Sequence, residues 1–439
     1  MRLYRTKSQK FPNLLARVFH EKDIPIQVAI GNYDLGICGL DWIEELIARY
    51  PSSALLKVKK LGYGKGALYM AASRSETAAT LDELQAKRNI VRIVSEYPNL
   101  AESFALKNRL RRFSVFPLWG ASEVYPPENA DLALIPVRTD ESVNNDLMPI
   151  SKAFDYSAVL IANRSSWESK DMCEILVSIY DKLALSQRPS PFVEARQASA
   201  VASNHGSREM AEDVVRLALP DGHQQVHTLC LLNKAGIQVD DYPSETGNRR
   251  PKANLTDVMI KVIRPQDMPL QVANGNFDLA VTGRDWLTEH LYSFPSSPVK
   301  ELLSLNFGRV KIVAVISREL SAEDVQGLRQ LSTSRATPLS VASEYINIAD
   351  KYARDNRLGH YRVVPSWGAS EAFLPEDADL LIENTETGRT IARHNLKIID
   401  TLFVSSACLI GNSNSVNAPG KRERIKSITQ TMKAAVEDI

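Results

Sequence analysis

One segment occurs twice in this sequence, and the duplication limits the folds open to the chain. Residues 23–65 and 267–309 align without a gap, with 18 of 43 positions identical. Three further segment pairs follow in the same order, beginning at Ser95 and Ser343, at Trp119 and Trp367, and at Tyr156 and Ser405. A repeat period of about 245 residues is far too long for a solenoid. We therefore expect two copies of a whole globular unit.

The two copies are unequal in length. The second begins near Val214 with VRLALPDGHQQVHTLCLLNKAGI, a segment that the first lacks. The basic N-terminus superficially resembles a transit peptide, but it aligns with residues 245–266 and is therefore expected to be part of a fold. We predict a first, incomplete copy over residues 1–190 and a polar Pro/Ser/Ala-rich linker over 191–213. A second, complete copy covers 214–439.

Short apolar runs alternate with helical patterns in both copies. In the second copy, VRLALP, FDLAVTG, VKIVAVIS and ADLLIEN predict strands, whereas GRDWLTEHL and INIADKYARDN predict helices. Alternation of this kind predicts an α/β fold with mainly parallel sheets. Ligands of such folds bind beyond the carboxyl ends of the strands, often between two lobes.

The overall composition excludes several classes of protein. Lys plus Arg is 53 and Asp plus Glu is 52, so the net charge of +1 gives no support to nucleic-acid binding. No run approaches the ~18 apolar residues that would span a bilayer. The four cysteines are far apart and form no CxxC pair, which indicates free thiols in a reducing compartment. We expect a cytoplasmic protein.

The sharpest local motif lies in the second copy, in ADLLIENTETGRTIARHNL at residues 378–396. An apolar strand ends in Glu383, and a Thr/Gly-rich loop then leads into a helical pattern. Gly388 allows close approach of backbone N–H groups, Thr387 and Thr390 offer hydroxyls, and Arg389 adds a cation, which together suit a phosphate monoester. The pattern alone is equally compatible with an ordinary turn between a strand and a helix.

The ordered set DMPLQVANGNFDLAVTGRDWL, LNFGRVKIVAV, SEYINIADKY, WGASEAFLPEDADLLIENTETGRTI and SSACLIGN resembles the catalytic unit of the short-form ATP phosphoribosyltransferases. The resemblance runs from Val214 almost to Ile439 and again, less completely, from Arg2 to about residue 185. It implies tandem units, each of two lobes like the type II periplasmic-binding fold. For the second copy we expect lobe I over about 214–318 and 400–439, and lobe II over about 319–399.

The resemblance also implies an activity and a set of site residues. The family transfers the phosphoribosyl group of phosphoribosyl pyrophosphate to N1 of ATP, with Mg²⁺, in the first step of histidine biosynthesis, and releases pyrophosphate. Glu383 would hold the ribose diol. The 5′-phosphate would be bound by Thr385, Thr387, Gly388, Arg389 and Thr390. The catalytic residues lining the cleft would be Glu371, Arg264 and Asp267. Contacts to ATP or pyrophosphate would come from Arg309, Lys311, Gly222 and His223.

The second copy departs from the family at its opening loop. The family usually has Lys-Gly-Arg there, whereas this chain has Asp221-Gly222-His223, which weakens a phosphate contact. His223, His227 and Cys230 follow a helical spacing and could suggest zinc, but a metal site needs more ligands, so ordinary helix residues are the favoured interpretation.

The first copy departs further. Asp140 and Glu141 stand where Gly388 and Arg389 stand, Ile135 replaces Glu383, and His20 replaces Arg264. Each carboxylate beside a phosphate dianion would cost on the order of 1 kcal/mol or more. We hypothesise that the first copy is degenerate and that the second is catalytic. Trp119 and Trp367 are interpreted as packing residues in preference to adenine-stacking ones.

Two functions therefore compete. The first is the transferase, and the second is a non-catalytic ligand-binding or regulatory paralogue on the same fold, favoured by the missing Lys-Gly-Arg. Family members form dimers and larger oligomers. Short forms are usually completed by a separate regulatory subunit that resembles a histidyl-tRNA synthetase. A homo-oligomer and a regulatory partner of that kind are accordingly expectations.

Overall fold

The structure is a computed structural model, which describes residues 5–78, 80–139, 146–186, 213–245, 247–368 and 370–437. It divides into two compact units. The first unit comprises Met1–Leu118 and Tyr125–Arg208, and the second comprises Glu209–Ile439 together with the short segment Trp119–Val124. Within the described residues, no helix is both long and apolar enough to cross a membrane.

The first unit contains strands β1–β10 and helices α1–α6. Its strands are β1 (Arg5–Lys7), β2 (Leu15–Arg17), β3 (Leu35–Gly39), β4 (Leu55–Lys60), β5 (Gly66–Ser73), β6 (Val91–Ser95), β7 (Phe113–Pro117), β8 (Leu132–Arg138), β9 (Leu147–Tyr156) and β10 (Ala158–Asn163). Its helices are α1 (Asp23–Ala29), α2 (Leu40–Arg49), α3 (Leu81–Lys87), α4 (Pro98–Lys107), α5 (Arg164–Ser169) and α6 (Cys173–Ser186).

The second unit contains strands β11–β20 and helices α7–α14. Its strands are β11 (Val215–Pro220), β12 (Val258–Ile263), β13 (Leu279–Gly283), β14 (Val299–Ser304), β15 (Val310–Ser317), β16 (Leu339–Ser343), β17 (Tyr361–Pro365), β18 (Leu380–Thr385), β19 (Leu396–Ser405) and β20 (Ala407–Asn412). Its helices are α7 (Gln225–Lys234), α8 (Met268–Ala273), α9 (Arg284–Ser293), α10 (Val325–Ser334), α11 (Ile346–Asp355), α12 (Arg389–Arg393), α13 (Ser413–Asn417) and α14 (Pro419–Glu437).

Two five-stranded sheets form the two lobes of the second unit. Lobe I has the strand order β12-β11-β13-β20-β14, and lobe II has β17-β16-β18-β15-β19. Each sheet is mixed, because the first three strands pair in parallel and the last two join antiparallel. The predicted α/β class and the two-lobed repeated unit are confirmed.

The predicted boundary between the lobes is wrong at both ends. Residues 310–318 and 400–405 were expected in lobe I. Strands β15 and β19 instead complete the lobe II sheet, because β15 pairs with β18 on one side and with β19 on the other. The chain therefore passes from lobe I to lobe II near residue 305 and returns near residue 406.

The first unit repeats this design with one piece missing. Its five-stranded sheet, β7-β6-β8-β5-β9, has the order of lobe II. Its other principal sheet has only three strands, in the order β3-β10-β4, which corresponds to β13-β20-β14. The counterparts of β11 and β12 are absent from the described residues of this sheet. The first copy lacks in sequence the segment that forms β11, whereas residues 14–19, which align with β12, contain β2, and β2 pairs with β1 in a separate two-stranded sheet.

Continuous apolar runs explain why the central strands are buried on both faces. All six residues of β20 are buried, and the lobe I core is formed by side chains such as Leu217, Val262 and Leu409. Helix α14 closes this core, since Ile428 and Met432 pack into it. At the rim of the core, the Lys421 ammonium lies 3.0 Å from both carboxylate oxygens of buried Asp278.

Helix α9 of lobe I holds helix α11 of lobe II through its acidic side chains. Glu289 accepts hydrogen bonds from the backbone N–H groups of Asn347 (2.8 Å) and Ile348 (2.9 Å). Asp285, one turn earlier, accepts from the Tyr345 hydroxyl at 2.6 Å. The free N–H groups at the start of α11 are thus satisfied by the other lobe. The first unit repeats the arrangement with Glu45 and Asp41.

Candidate active site

The loop after β18 turns at a glycine with a left-handed backbone. Gly388 has φ +70° and directly precedes α12, a left-handed conformation that L side chains rarely adopt. Its N–H donates to Thr385 Oγ1 at 2.9 Å, which closes the turn. Thr387, Arg389 and Thr390 are exposed. Their side chains are consequently available to a ligand.

Glu383 stands at the end of β18 among groups that raise its pKa. The Ser370 hydroxyl donates to Glu383 Oε2, and the Asn384 N–H donates to Oε1 at 2.9 Å. Burial raises the pKa of Glu383 to about 8, with a further contribution from the negative charge of Glu344. These effects exceed the opposing influence of the two hydrogen bonds. The carboxyl is therefore largely protonated at neutral pH in the free protein.

Strand register brings Lys311 to this loop. Lys311 lies opposite Thr385 in the antiparallel pair of β15 and β18, and Val313 lies opposite Glu383. Opposed residues of an antiparallel pair project from the same face of the sheet. The exposed Lys311 side chain is therefore on the Glu383 face, whereas Arg309 is exposed just before β15.

Glu371 belongs to a short 3₁₀ turn, Ser370–Phe373, in the same lobe. Its carboxylate lies 4.0 Å from His394 Nε2, and its side chain is about one-fifth exposed. The negative charge of Glu371 also helps to raise the pKa of Glu383. The structure therefore brings Glu371, Glu383, Thr385, Gly388 and Lys311 together in lobe II.

Arg264 and Asp267 lie in lobe I, between β12 and α8. Arg264 is exposed, whereas Asp267 is buried and forms the N-cap of α8. Asp267 Oδ1 accepts a hydrogen bond from the Trp119 N–H at 2.9 Å, within the second unit. The centroid of the Trp119 ring lies 5.5 Å from that of Trp286 and 6.2 Å from that of Trp367, so these rings pack on one another.

Asp221, in the loop after β11, forms an ion pair with Arg249, which was not among the predicted site residues. Asp221 Oδ2 lies 2.6 Å from Arg249 Nη1, and Asp221 Oδ1 accepts from the Gly222 N–H at 2.8 Å. A cavity of about 100 Å³ adjoins this pair. Gly222 has φ +76°, and both Gly222 and His223 are exposed. Asp221 and Arg264 follow neighbouring parallel strands and so lie at the same sheet edge.

His227 and Cys230 lie on α7, and His223 lies in the 3₁₀ turn just before it. Within the described residues, no group of three His, Cys, Asp or Glu side chains is arranged to hold an ion. The His227 ring stacks on Phe307 with centroids 5.9 Å apart. All four cysteines are free thiols.

The first unit lacks the corresponding polar strand end. Ile135, at the position of Glu383, is 6% exposed, and Pro136 stands at the position of Asn384. Residues Asp140, Glu141 and Ser142, on which the predicted loss of phosphate binding depends, lie outside the described residues.

Sequence reasoning missed several residues that shape the site. Tyr345 and Asn384 are joined by a hydrogen bond, Glu344 raises the pKa of Glu383, and Arg249 pairs with Asp221. The motif SEY, present in both copies, was a signal for Glu344 and Tyr345. Nothing local in the sequence indicates the pairing of Arg249 with Asp221.

The family model described as ATP phosphoribosyltransferase matches residues 20–184 and again residues 264–434. The chain belongs to the ATP phosphoribosyltransferase family, which acts in histidine biosynthesis, and it is a phosphoribosyltransferase.

Individual relatives agree with this assignment. An ATP phosphoribosyltransferase of Prosthecochloris aestuarii is 30% identical over 228 residues, which cover 52% of this chain and 73% of the relative. One from Geotalea daltonii is 29% identical over 225 residues. Among solved structures, the ATP phosphoribosyl transferase (HisG:HisZ) complex from Thermotoga maritima is similar over 52% of this chain and 100% of that one, with TM-score 0.42 and 21% identity.

Proposed function

We propose that the second unit transfers the phosphoribosyl group of phosphoribosyl pyrophosphate to N1 of ATP and releases pyrophosphate. The observation that carries the proposal is the end of β18. There, Glu383 is followed by a turn whose Gly388 has a positive φ and whose threonine and arginine side chains are exposed. The first unit has Ile135 at the position of Glu383. Only the second repeat therefore combines a polar strand end with this loop.

In this proposal, the lobe II residues bind the ribose phosphate. Glu383 accepts hydrogen bonds from the ribose diol once its carboxyl is ionised. The Thr-Gly-Arg-Thr loop contacts the 5′-phosphate through hydroxyl, N–H and guanidinium donors. The residues assigned to the phosphate are Thr385, Thr387, Gly388, Arg389 and Thr390.

The remaining site residues serve ATP and the leaving pyrophosphate. Lys311, on the Glu383 face of the sheet, supplies positive charge close to the ribose, and Arg309 supplies it at the start of β15. Arg264, Asp267 and Glu371 line the cleft, and Gly222 and His223 contribute the loop after β11. Pyrophosphate is already a good leaving group, so positioning and stabilisation of a developing positive charge on the ribose provide most of the catalysis.

We also propose that Mg²⁺ enters with the phosphates of the substrates. Mg²⁺ is commonly held by one or two carboxylates together with substrate phosphates and water. The described residues offer carboxylates such as Glu371 but no cluster of three candidate ligands, which suits that mode of binding. When bound, the ion would offset the repulsion between two polyanionic substrates.

One observation favours the alternative, a non-catalytic ligand-binding or regulatory paralogue. Asp221 occupies a position where the family usually has a basic residue, and its carboxylate pairs with Arg249 at 2.6 Å. That pair neutralises a cation that would otherwise be available to a phosphate group. Under this alternative, the protein binds ribose phosphates without turning them over.

An assay of the full chain distinguishes the two functions. The protein is incubated with ATP, phosphoribosyl pyrophosphate and Mg²⁺, and both phosphoribosyl-ATP and pyrophosphate are measured. We expect turnover by the wild type, at least a hundredfold loss in Gly388→Asp from the strain and charge at a left-handed position, and unchanged turnover in Asp140→Gly. Binding without turnover would support the paralogue. Equal losses in the two variants would contradict catalysis by the second unit.

We further propose a cytoplasmic enzyme that assembles as a homo-oligomer and accepts a separate regulatory subunit. Free thiols at all four cysteines suit a reducing compartment. Light scattering on the purified chain measures the assembly. Addition of a histidyl-tRNA synthetase-like subunit to the turnover assay tests the regulatory role.

A further inference from the structure

A chain of hydrogen bonds links Glu383 to lobe I. The Asn384 N–H donates to Glu383 Oε1 at 2.9 Å, and the Asn384 side-chain amide donates to the Tyr345 hydroxyl at 3.1 Å. That hydroxyl donates to Asp285 Oδ2 at 2.6 Å. Asp285 in turn accepts from the Ser405 hydroxyl at 3.0 Å, and Ser405 Oγ accepts from the Asp285 N–H at 2.9 Å. Asp285 thus connects the start of α9 with the strand end that bears Glu383.

The direction of these bonds is fixed by the protonation of Tyr345. Burial, with the nearby charge of Asp285, holds the pKa of Tyr345 well above its usual range. The hydroxyl therefore stays protonated and donates a hydrogen bond to the Asp285 carboxylate. Its oxygen can then act only as an acceptor toward Asn384, which orients the Asn384 amide with its NH₂ group toward Tyr345.

The first unit contains the same interlobe bond without the link to a polar strand end. The Tyr97 hydroxyl donates to Asp41 Oδ2 at 2.8 Å, and Tyr97 stacks on Trp42 much as Tyr345 packs on Trp286. In both units a serine also joins this region to the neighbouring strand, since Ser95 donates to Leu134 O and Ser343 to Ile382 O.

The difference between the units lies in the residue after the Glu383 position. Pro136 of β8 replaces Asn384 of β18, and proline has neither an N–H nor a side-chain donor. The tyrosine–aspartate bond alone is therefore a structural feature common to both repeats. The bond from Asn384 to Tyr345 occurs in addition at the end of β18, the strand that bears Glu383.

We infer that Asn384 and Tyr345 are positioning residues that fix the Glu383 carboxylate relative to lobe I through Asp285. This inference rests on the proposed function, because it assumes that Glu383 binds the ribose of phosphoribosyl pyrophosphate. The relay holds the strand end in one orientation before the ligand arrives. Its loss raises the entropic cost of ligand binding without removing a group that touches the ligand.

The test compares Tyr345→Phe with Tyr97→Phe in the full chain. Both variants lose one tyrosine–aspartate bond next to a tryptophan ring, and Tyr345→Phe also loses the bond from Asn384, so it should lower the thermal unfolding temperature at least as much as Tyr97→Phe. We expect Tyr345→Phe to weaken phosphoribosyl pyrophosphate binding about five- to tenfold by calorimetry, the effect of one lost hydrogen bond. Tyr97→Phe should leave the affinity unchanged, and the KM for ATP should be unaffected in both.

A double-mutant cycle supplies a readout that general destabilisation would not move. Asn384→Ala breaks the same relay, so combining it with Tyr345→Phe should add less than twofold to the loss caused by Asn384→Ala alone. Additive losses of affinity in the double mutant would overturn the relay. So would equal losses in Tyr345→Phe and Tyr97→Phe, or wild-type affinity in Tyr345→Phe. A wild-type chain that neither binds nor uses phosphoribosyl pyrophosphate would overturn the proposed function, and the relay with it.

Discussion

Replacing Glu383 by Gln should stabilise the protein at alkaline pH. The substitution keeps the size and most hydrogen-bonding capacity of the side chain but removes an ionisable group from a site where Glu344 and Glu371 contribute like charge. Ionisation of Glu383 is therefore unfavourable in the folded protein and ordinary in the unfolded chain. A neutral amide avoids that cost at every pH.

The sign and size of the effect follow from the pKa. Burial and neighbouring charge raise the pKa of Glu383 from its ordinary 4.5 to about 8. Between these values the folded protein retains a proton that the unfolded chain has released, so the free energy of unfolding falls as pH rises through this window. A difference of 8 − 4.5 = 3.5 units, at about 1.36 kcal/mol per unit, sets an upper limit of about 5 kcal/mol.

Urea unfolding of the wild type and Glu383→Gln at pH 5, 7 and 9 measures this difference. The two free energies of unfolding should be close at pH 5 and should diverge in favour of the variant at pH 9. Glu386→Gln, which removes an exposed carboxylate from the same loop, serves as the control and should follow the wild type. A constant difference between wild type and Glu383→Gln across this range would refute the reasoning.

Two further predictions concern ligand affinity and a buried ion pair. The ionised fraction of Glu383 rises from about 0.1 at pH 7 to about 0.9 at pH 9, so calorimetry should show phosphoribosyl pyrophosphate binding about tenfold more tightly at pH 9. A flat affinity over this range would argue against an ionised Glu383 as the ribose acceptor. Lys421→Ala removes the ammonium partner of buried Asp278, which keeps the Arg216 guanidinium at 3.6 Å, and should lower the free energy of unfolding by about 1.5–3 kcal/mol, less than for a buried charge left unpaired. Lys170→Ala removes the largely exposed pair at the matching place in the first unit and should cost less than about 1 kcal/mol by denaturant unfolding.

Much of the fold could be predicted because the relevant signals are local. The apolar runs VRLALP and FDLAVTG became β11 and β13 at their expected positions, since both strands are almost wholly buried and need no polar alternation. The turn at Gly388 is equally local, because glycine adopts the left-handed backbone found there without a Cβ penalty. The duplication itself was visible without any structural knowledge.

The lobe boundary and the polar contacts could not be predicted in the same way. Strand β19 has buried end residues, Leu396 and Ser405, and a mixture of exposed and half-buried residues between them. It gives no long apolar run, so its place in lobe II depends on pairing with β15. The bonds of Tyr345 to Asp285 and Asn384 join residues 60 and 39 positions apart in the chain. Such contacts are set by tertiary packing and leave no periodic signal.

The two units together separate what maintains the fold from what supports chemistry. Both keep a glutamate, Glu45 or Glu289, that accepts hydrogen bonds from backbone N–H groups at the start of α4 or α11. Both also keep an aspartate, Asp41 or Asp285, that accepts from a tyrosine hydroxyl, and these bonds join the two lobes of each unit. They differ at two adjacent strand-end residues, where Ile135 and Pro136 replace Glu383 and Asn384. Ile135 is buried and Pro136 is exposed, and neither brings a charge to this strand end, whereas a carboxyl whose pKa is raised to about 8 is costly there when ionised. A costly residue that occurs in one repeat only is better explained by ligand binding than by folding, which supports our proposal that the second unit contains the ribose site.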